Sequence, residues 1–166
     1  MNQRTKTTIM WVLYAALFLA VMLLQTVSFG RMRFLGVKLN LMPIVITCVG
    51  LWAGHEAGGL FGLLTGLVWS WTGAKDGSLA IVSFTLIGIF SGWLCDAVFP
   101  RGVLSAIMLS LAAVLLHELA LFLLTRYLEN APLSMLAWVP VTAILSLPAS
   151  PVLYLLAKAI RKAGGN

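Results

Sequence analysis

The chain has 166 residues, of which 61% are hydrophobic and only 10% are charged, and its mean hydropathy is +1.01. Soluble domains contain about 45–50% apolar and about 25% charged residues, and a soluble protein of this mass could not bury so much apolar surface. Disordered chains are polar and rich in charge, so disorder is excluded as well. The formal net charge of +6 would suggest nucleic-acid binding in a soluble protein. Here the basic residues flank apolar runs, as residues that contact lipid headgroups do, so a membrane protein with the bilayer and no nucleic acid as partner is predicted.

Uncharged runs divide the chain into six segments of roughly the length that a membrane crossing requires. A helix needs about 20 apolar residues, within a range of about 17–25, to cross a hydrocarbon core of about 30 Å. The expected crossings are residues 8–29, 39–54, 57–73, 78–95, 103–125 and 135–157. No polar stretch between them is long enough for a separate soluble domain, so residues 1–166 are expected to form a single all-α transmembrane domain.

The second and third segments leave almost no room for a loop. Their connection would consist of residues 54–58, with the sequence Gly-His-Glu-Ala-Gly. Either the two segments form a tight helical hairpin, which we favour, or one of them enters the membrane without crossing it.

The orientation follows from the distribution of Lys and Arg between the two sides. With six crossings, the side that holds both termini carries six of these residues and the other side carries five. The first group is Arg4, Lys6, Arg101, Lys158, Arg161 and Lys162, and the second is Arg31, Arg33, Lys38, Lys75 and Arg126. Because positive charge favours the cytoplasmic side, and the basic tail is the densest block, cytoplasmic termini are expected.

Small residues recur every four positions in the third and fourth segments. They are Gly58, Gly62 and Gly66, continued by Ser70, and then Gly88 and Gly92. This spacing keeps them on one helix face, where the lack of side chains lets two backbones approach closely in a membrane. We interpret the glycines as a helix-packing face, within the chain or toward a partner. Thr65 is expected on the opposite face, toward lipid.

The sixth segment contains three prolines, Pro140, Pro148 and Pro151. Each removes a backbone donor and disfavours a straight helix. The segment is therefore expected to be kinked, or to begin as a helix only near Pro140.

Glu118 is the one ionisable residue that lies clearly inside an apolar segment, with His117 beside it. Adjacent residues point about 100° apart on a helix, so these two side chains do not chelate one ion together. No partner follows at the three- or four-residue spacing of helical zinc sites, and neither a metal nor a cofactor is predicted. Glu118 is interpreted as a buried hydrogen-bonding residue or a protonated acid rather than a catalytic base.

The other polar residues of interest fall at segment ends. His55 and Glu56 sit at one turn, and Asp96 and Arg101 bracket the next turn on the same side, where a surface ion pair is expected. Lys75 and Asp76 are interpreted as turn residues without further function. The sequence contains none of the common hydrolase or nucleotide-binding motifs, so no enzymatic activity is predicted.

Three local patterns resemble the bacterial rod shape-determining MreD family. They are Gly62-Leu-Leu-Thr-Gly66-Leu, the stretch from Gly77-Ser-Leu to Ile87-Gly-Ile-Phe-Ser-Gly-Trp-Leu, and Val139-Pro140 followed by Ala149-Ser-Pro151-Val-Leu-Tyr154-Leu-Leu with its basic tail. The resemblance covers roughly residues 40–160. Members of that family often carry an Asp shortly after the glycine helix, where this chain has Trp69-Ser-Trp71.

The resemblance implies a scaffold of the cell-elongation complex in the bacterial inner membrane. Its partners would be the bitopic protein MreC, the actin-like filament system, and the peptidoglycan polymerase and transpeptidase. The MreD fold is similar to that of the substrate-binding subunits of energy-coupling-factor vitamin transporters, so a vitamin-binding subunit is the alternative. Such a subunit needs a pocket with convergent polar groups, and the outer half offers mainly Glu118, His117, Asn40 and the Lys75–Asp76 turn.

Overall fold

The chain forms a bundle of seven α-helices in the computed structural model, which describes residues 3–29, 38–74 and 76–164. The helices are α1 (Gln3–Leu24), α2 (Met42–Ala53), α3 (His55–Trp71), α4 (Gly77–Ala97), α5 (Val103–Glu129), α6 (Trp138–Ser146) and α7 (Ala149–Ala163). One π-helical turn, Gln25–Phe29, continues α1, and a 3-10 helix, Leu133–Ala137, precedes α6. No strand occurs in the described ranges, as the all-α prediction requires.

The chain runs back and forth between two ends of the bundle. At one end, Leu41 before α2 donates to Gln25 after α1, and Trp69 in the last turn of α3 donates to Asp76 before α4. At the other end, the Tyr154 hydroxyl of α7 donates to the carbonyl of Arg101, between α4 and α5. Arg161 near the end of α7 contacts Met10 near the start of α1. Helix α1 therefore begins, and helix α7 ends, at this second end of the bundle, which we call the terminal end.

Helix α2 forms the centre of the bundle. Every residue from 41 to 51 is buried, and α2 packs against α1, α3, α4, α5 and α7. A helix that is apolar on all sides can be surrounded by protein or by lipid. In this bundle the neighbouring helices surround α2 (Met42–Ala53).

Within the described residues, three helices are long and apolar enough to cross a membrane, and a fourth crossing exists if α6 and α7 count as one bent span. The three are the helical stretches Arg4–Val27, Gly77–Ala97 and Val103–Glu129. Helix α2 has only 12 residues, or about 18 Å at 1.5 Å per residue, so it falls short of a hydrocarbon core. The length expected for segment 39–54 is wrong because residues 38–41 are not helical.

The turn between α2 and α3 is a single residue. Gly54 has a φ of +88°, and α3 already begins at His55. A residue with a side chain would be strained at this φ, whereas glycine adopts it freely. The expected five-residue turn over 54–58 is therefore wrong, because the glycine reverses the chain alone.

The glycines of α3 lie against the backbone of α4. A Cβ placed on Gly58 would lie 2.6 Å from the carbonyl oxygen of Gly88, and one on Gly66 would lie 2.7 Å from the Cα of Ile81. A Cβ on Gly92 would meet the backbone of Gly54 and His55. These contacts pair the two helices in antiparallel fashion along their whole length. The glycine face is occupied within the chain.

Gly50 adds α2 to this contact. A Cβ on Gly58 would lie 2.8 Å from the Cα of Gly50, and one on Gly50 would lie 2.8 Å from the carbonyl oxygen of Gly88. Three helices therefore meet where none of them has a side chain.

Thr65 does not face lipid. It is 5% exposed, and its hydroxyl donates to the carbonyls of Phe61 and Gly62. A step of three residues turns a helix by about 300°, which leaves Thr65 only about 60° from Gly62. The prediction that Thr65 lies on the helix face opposite the glycines, toward lipid, is therefore wrong.

The sixth segment is two helices. Helices α6 and α7 meet at an angle of 49° across Leu147 and Pro148. Pro140 and Pro151 each occupy the third position of their helix, where a missing N–H costs no intrahelical hydrogen bond. The expected kink exists, and it lies at Pro148.

Replacing Gly62 by leucine should separate α3 from α4. A Cβ at this position would meet the carbonyl oxygen of Phe84 and lie 2.6 Å from its carbonyl carbon, and backbone atoms cannot move aside as a flexible side chain can. Overpacking of this kind costs about 1–3 kcal/mol. We expect a clear loss of thermal stability in detergent, measured beside Ala16→Leu. Ala16 is exposed on α1, so that control should resemble the wild type. Equal stability of the two variants would contradict the glycine contact.

Candidate functional site

A polar cleft of about 490 Å³ opens at the end of the bundle opposite the terminal end. The end of α1, the segment before α2, the α3–α4 turn, α5 and α6 form its walls. The lining side chains able to hydrogen-bond are Gln25, Thr26, Lys38, Asn40, Trp69, Thr72, Asp76, Glu118 and Thr142. We call this site the polar cleft.

One wall is a chain of hydrogen bonds that ends at Glu118. The amide of Asn40 donates to Glu118 Oε1 over 2.7 Å, and the amide of Gln25 donates to Asn40 Oδ1 over 3.4 Å. The side-chain oxygen Oε1 of Gln25 accepts from the backbone N–H of Leu41 over 2.8 Å. Ser146 accepts from the backbone N–H of Asn40 over 3.1 Å. Side chains from α1, α5 and α6 thus fix the non-helical segment before α2.

The sequence indicates where α2 begins. Pro43 lies in the first turn of α2, where its missing N–H costs no intrahelical hydrogen bond. No side chain caps the start of α2. Buried backbone donors need partners, and here Gln25 and Ser146 supply them from other helices.

The opposite wall is built around Asp76. Its Oδ1 accepts from the indole N–H of Trp69 over 3.1 Å, and its Oδ2 lies 3.4 Å from Nε2 of His117. The other ring nitrogen, Nδ1, lies 2.8 Å from the Ser83 hydroxyl. Asp76 occupies the N-cap position of α4 but makes no capping hydrogen bond, because its carboxylate turns inward to these partners.

The Asp76 carboxylate is held in its ionised form. Burial alone would raise the pKa of Asp76, but the close approach of His117 and the hydrogen bond from Trp69 outweigh burial and lower the pKa below its usual value. The Nε2 of His117 is buried and lacks hydrogen-bond alignment with any partner among the described residues. His117 therefore lies against Oδ2 of Asp76 without a well-aligned hydrogen bond.

Ser83, His117 and Asp76 follow one another as a hydroxyl, an imidazole and a carboxylate do in serine hydrolases. Such chemistry also needs free N–H donors at the position where negative charge develops on the substrate. Ser83 lies inside α4, where the backbone N–H groups are engaged in the helix. The His117 ring is 1% exposed. The arrangement is therefore suited to fixing Asp76 in place rather than to acyl transfer.

The structure divides the polar residues singled out in the sequence into two groups. Glu118 and Asn40 line the polar cleft, and His117 lies beside it, behind Asp76. Asp76 lies in the α3–α4 turn, as expected, and it also lines the cleft. Lys75, Arg31 and Arg33 lie outside the described residues.

The second group lies at the terminal end. Arg101 pairs with Asp96 over 2.7 Å, and His55 Nδ1 lies 3.8 Å from the same carboxylate. All three side chains are about half exposed, so this expected ion pair is an interfacial one and contributes little to stability. Glu56 is exposed in the first turn of α3, where a negative charge favours the helix dipole.

Gln25, Trp69 and Thr142 at the polar cleft were missed in the sequence. Gln25 carried a usable signal, since it is a lone amide at the end of an apolar run of more than fifteen residues. Trp69 and Thr142 carried none, because both residue types are common in membrane helices.

The chemistry available at the polar cleft is hydrogen bonding and charge. Within residues 3–29, 38–74 and 76–164, no three His, Cys, Asp or Glu side chains come together as a metal site would require. Comparison with known proteins gives no match to a protein-family model, a curated protein or a solved structure. The resemblance to MreD therefore rests on the three sequence patterns, and the function has to be argued from the site and the packing.

The lowered pKa of Asp76 predicts a specific loss of stability in acid. An aspartate in an unfolded chain has a pKa of about 3.9. Because the pKa of Asp76 is lower in the folded state, its ionisation stabilises the fold at pH values above the unfolded-state pKa. This stabilisation is lost as the pH falls through the folded-state pKa. Lowering the pH from about 5 to about 3 should therefore destabilise the wild type more than Asp76→Asn. Thermal unfolding at each pH measures this, and parallel curves for the two proteins would contradict it.

Proposed function

We propose that the chain is a non-enzymatic scaffold of the bacterial cell-elongation complex, similar to MreD, with six membrane passes and cytoplasmic termini. The patterns that resemble MreD coincide with packing features of the fold. The glycine pattern of α3 lies against the paired glycines of α4, and the proline pattern falls on α6 and α7. Alternation of the helix direction supports six passes, provided that the bilayer adapts to the short α2.

The observation that supports a scaffold role best is an apolar groove of about 480 Å³ between α1 and α3. One wall is a row of side chains four residues apart on α1, and the other is a similar row on α3. The first row is Trp11, Ala15 and Leu19, and the second is Leu60, Leu64 and Val68. Phe18, Phe61 and Thr65 are buried at its floor. We call this feature the α1–α3 groove.

A single transmembrane helix matches this shape. Rows of residues four apart are the ridges between which a second helix packs. The rows extend over eight residues, or about 12 Å, and the walls present almost only carbon atoms to the groove. The bitopic protein that the MreD resemblance implies as a partner has one such helix, and we assign it to the α1–α3 groove.

Filling the groove should displace this partner. Ala15 lines the α1–α3 groove, whereas Ala16, its neighbour, is exposed outside it. We expect Ala15→Trp to reduce co-purification of an MreC-like protein by about tenfold, equivalent to about 1.4 kcal/mol, and to round the cells. Ala16→Trp adds the same side chain elsewhere on α1 and should do neither. Rod-shaped cells and full co-purification with Ala15→Trp would count against the groove as the docking site.

The polar cleft favours a second candidate, the small-molecule binding subunit of a transporter. Its volume of about 490 Å³ and its convergent polar groups are features of ligand sites. The two candidates differ in what accompanies the native protein. A scaffold should be purified without a stoichiometric vitamin-like ligand, and its depletion should round the cells. Recovery of one such molecule per chain, together with normal cell shape, would favour the binding subunit.

A further inference from the structure

The hydroxyl groups of the polar cleft present acceptors rather than donors. Thr26, Thr72 and Thr142 line the cleft, and each hydroxyl donates its proton to a backbone carbonyl of its own helical segment, over 2.7–3.0 Å. A hydroxyl has one proton and two lone pairs. Once the proton is committed, the hydroxyl can only accept a hydrogen bond from a ligand.

Two carboxylates add to the acceptors. Glu118 receives the Asn40 amide on Oε1, and no bond to its Oε2 occurs among the described residues. Asp76 faces the same cleft and is held by Trp69 and His117. A carboxylate offers about four lone-pair positions, so both groups retain acceptor capacity.

The cleft offers fewer free donors than acceptors. The Asn40 and Gln25 amides each use one of their two N–H groups, to Glu118 and to Asn40 respectively, and the single Trp69 N–H donates to Asp76. Lys38 is the only basic residue among the described lining residues. It is exposed at the rim, where solvent weakens its repulsion of a bound cation without abolishing it.

A buried polar atom next to the cleft also lacks a partner. Nε2 of His117 is enclosed, makes no hydrogen bond within the described residues, and lies directly behind the Asp76 carboxylate. The ring does not line the cleft, and the nearest acceptor of Nε2 is Oδ2 of Asp76 at 3.4 Å. His117 therefore holds the Asp76 carboxylate from behind, while Asp76 itself faces the cleft.

We infer that the polar cleft binds a small organic cation that carries an ammonium or guanidinium group. Such a ligand supplies N–H donors to an acceptor-rich wall and positive charge to the Asp76 carboxylate and to Glu118, whose ionised form a bound cation favours. The indole of Trp69 lines the same wall, and an aromatic face attracts an organic cation. The volume of about 490 Å³ is far larger than a bare ion requires. This inference goes beyond the scaffold role and does not depend on it.

The test uses agmatine, which has a guanidinium group at one end and an ammonium group at the other. Full-length protein in nanodiscs of zwitterionic lipid is unfolded thermally with agmatine, with the dicarboxylate adipate or with sodium chloride, at matched ionic strength. Agmatine should raise the unfolding temperature in a saturable manner, and the other two should not. A shift with adipate, an equal shift with sodium chloride, or no shift with agmatine would overturn the inference.

Three variants locate the site. Glu118→Gln removes a charge at the cleft and should weaken agmatine binding by about tenfold or more. Asp96→Asn removes the same charge at the terminal end and should leave the affinity unchanged. Lys38→Gln alters an exposed residue, so folding is retained even if Glu118→Gln misfolds, and it should strengthen binding by about two- to fivefold. An agmatine affinity that is unchanged by Lys38→Gln, or that is lost in Asp96→Asn, would show that the cation binds outside the polar cleft.

Discussion

Close backbone contact between α2, α3 and α4 is the constraint on which the rest of the structure depends. Gly50, Gly58 and Gly88 meet without side chains between them. Because lipid is as apolar as the helices, only close packing and hydrogen bonds favour helix association in a membrane. The contact places α2 at the centre, and α2 is about 12 Å shorter than a hydrocarbon core of about 30 Å. The polar cleft occupies the end of the bundle that α2 does not reach. The cleft is therefore present because the central helix is short.

A non-helical segment inside a membrane protein requires partners for its backbone groups. The segment before α2 obtains them from Gln25 and Ser146, and Asn40 passes the network on to Glu118. The polar side chains thus stabilise the fold, since they allow α2 to begin only at Met42. The same side chains leave acceptors that face the cleft. A site suited to donor-rich ligands is therefore a consequence of stabilising a broken end of the core.

Composition and local pattern predicted the helical class, the positions of most helices and the kink in the last segment. The four-residue spacing of glycines extends back from α3 through Gly54 to Gly50. It therefore also marks the glycine that reverses the chain after α2 and the glycine by which α2 contacts α3 and α4. Segment length was a poor guide for residues 39–54, since an apolar run does not show where a helix begins or ends within it. Glu118 was identifiable because a carboxylate in an apolar run needs a partner. That partner, Asn40, lies 78 positions away. Asp76 was named only as part of the Lys75–Asp76 turn, because its surroundings in sequence are those of a turn and the residue His117 that contacts it lies in another helix.

The groove and the cleft share a wall, which is α1. Helix α1 is fixed at one end by the hydrogen bond from Leu41 to Gln25, and Tyr14 donates to the carbonyl of Ala157 in α7. On its α3 side, α1 is met mainly by the ring of Phe61, which contacts Trp11, Tyr14 and Phe18. Aromatic rings fill space without fixing the distance between two backbones, unlike the glycine contacts of α3 and α4. The width of the α1–α3 groove therefore depends on the polar contacts of α1 at the cleft and on α7. The rigid half of the bundle is α2, α3 and α4, and α1 is the wall whose position the remaining contacts determine.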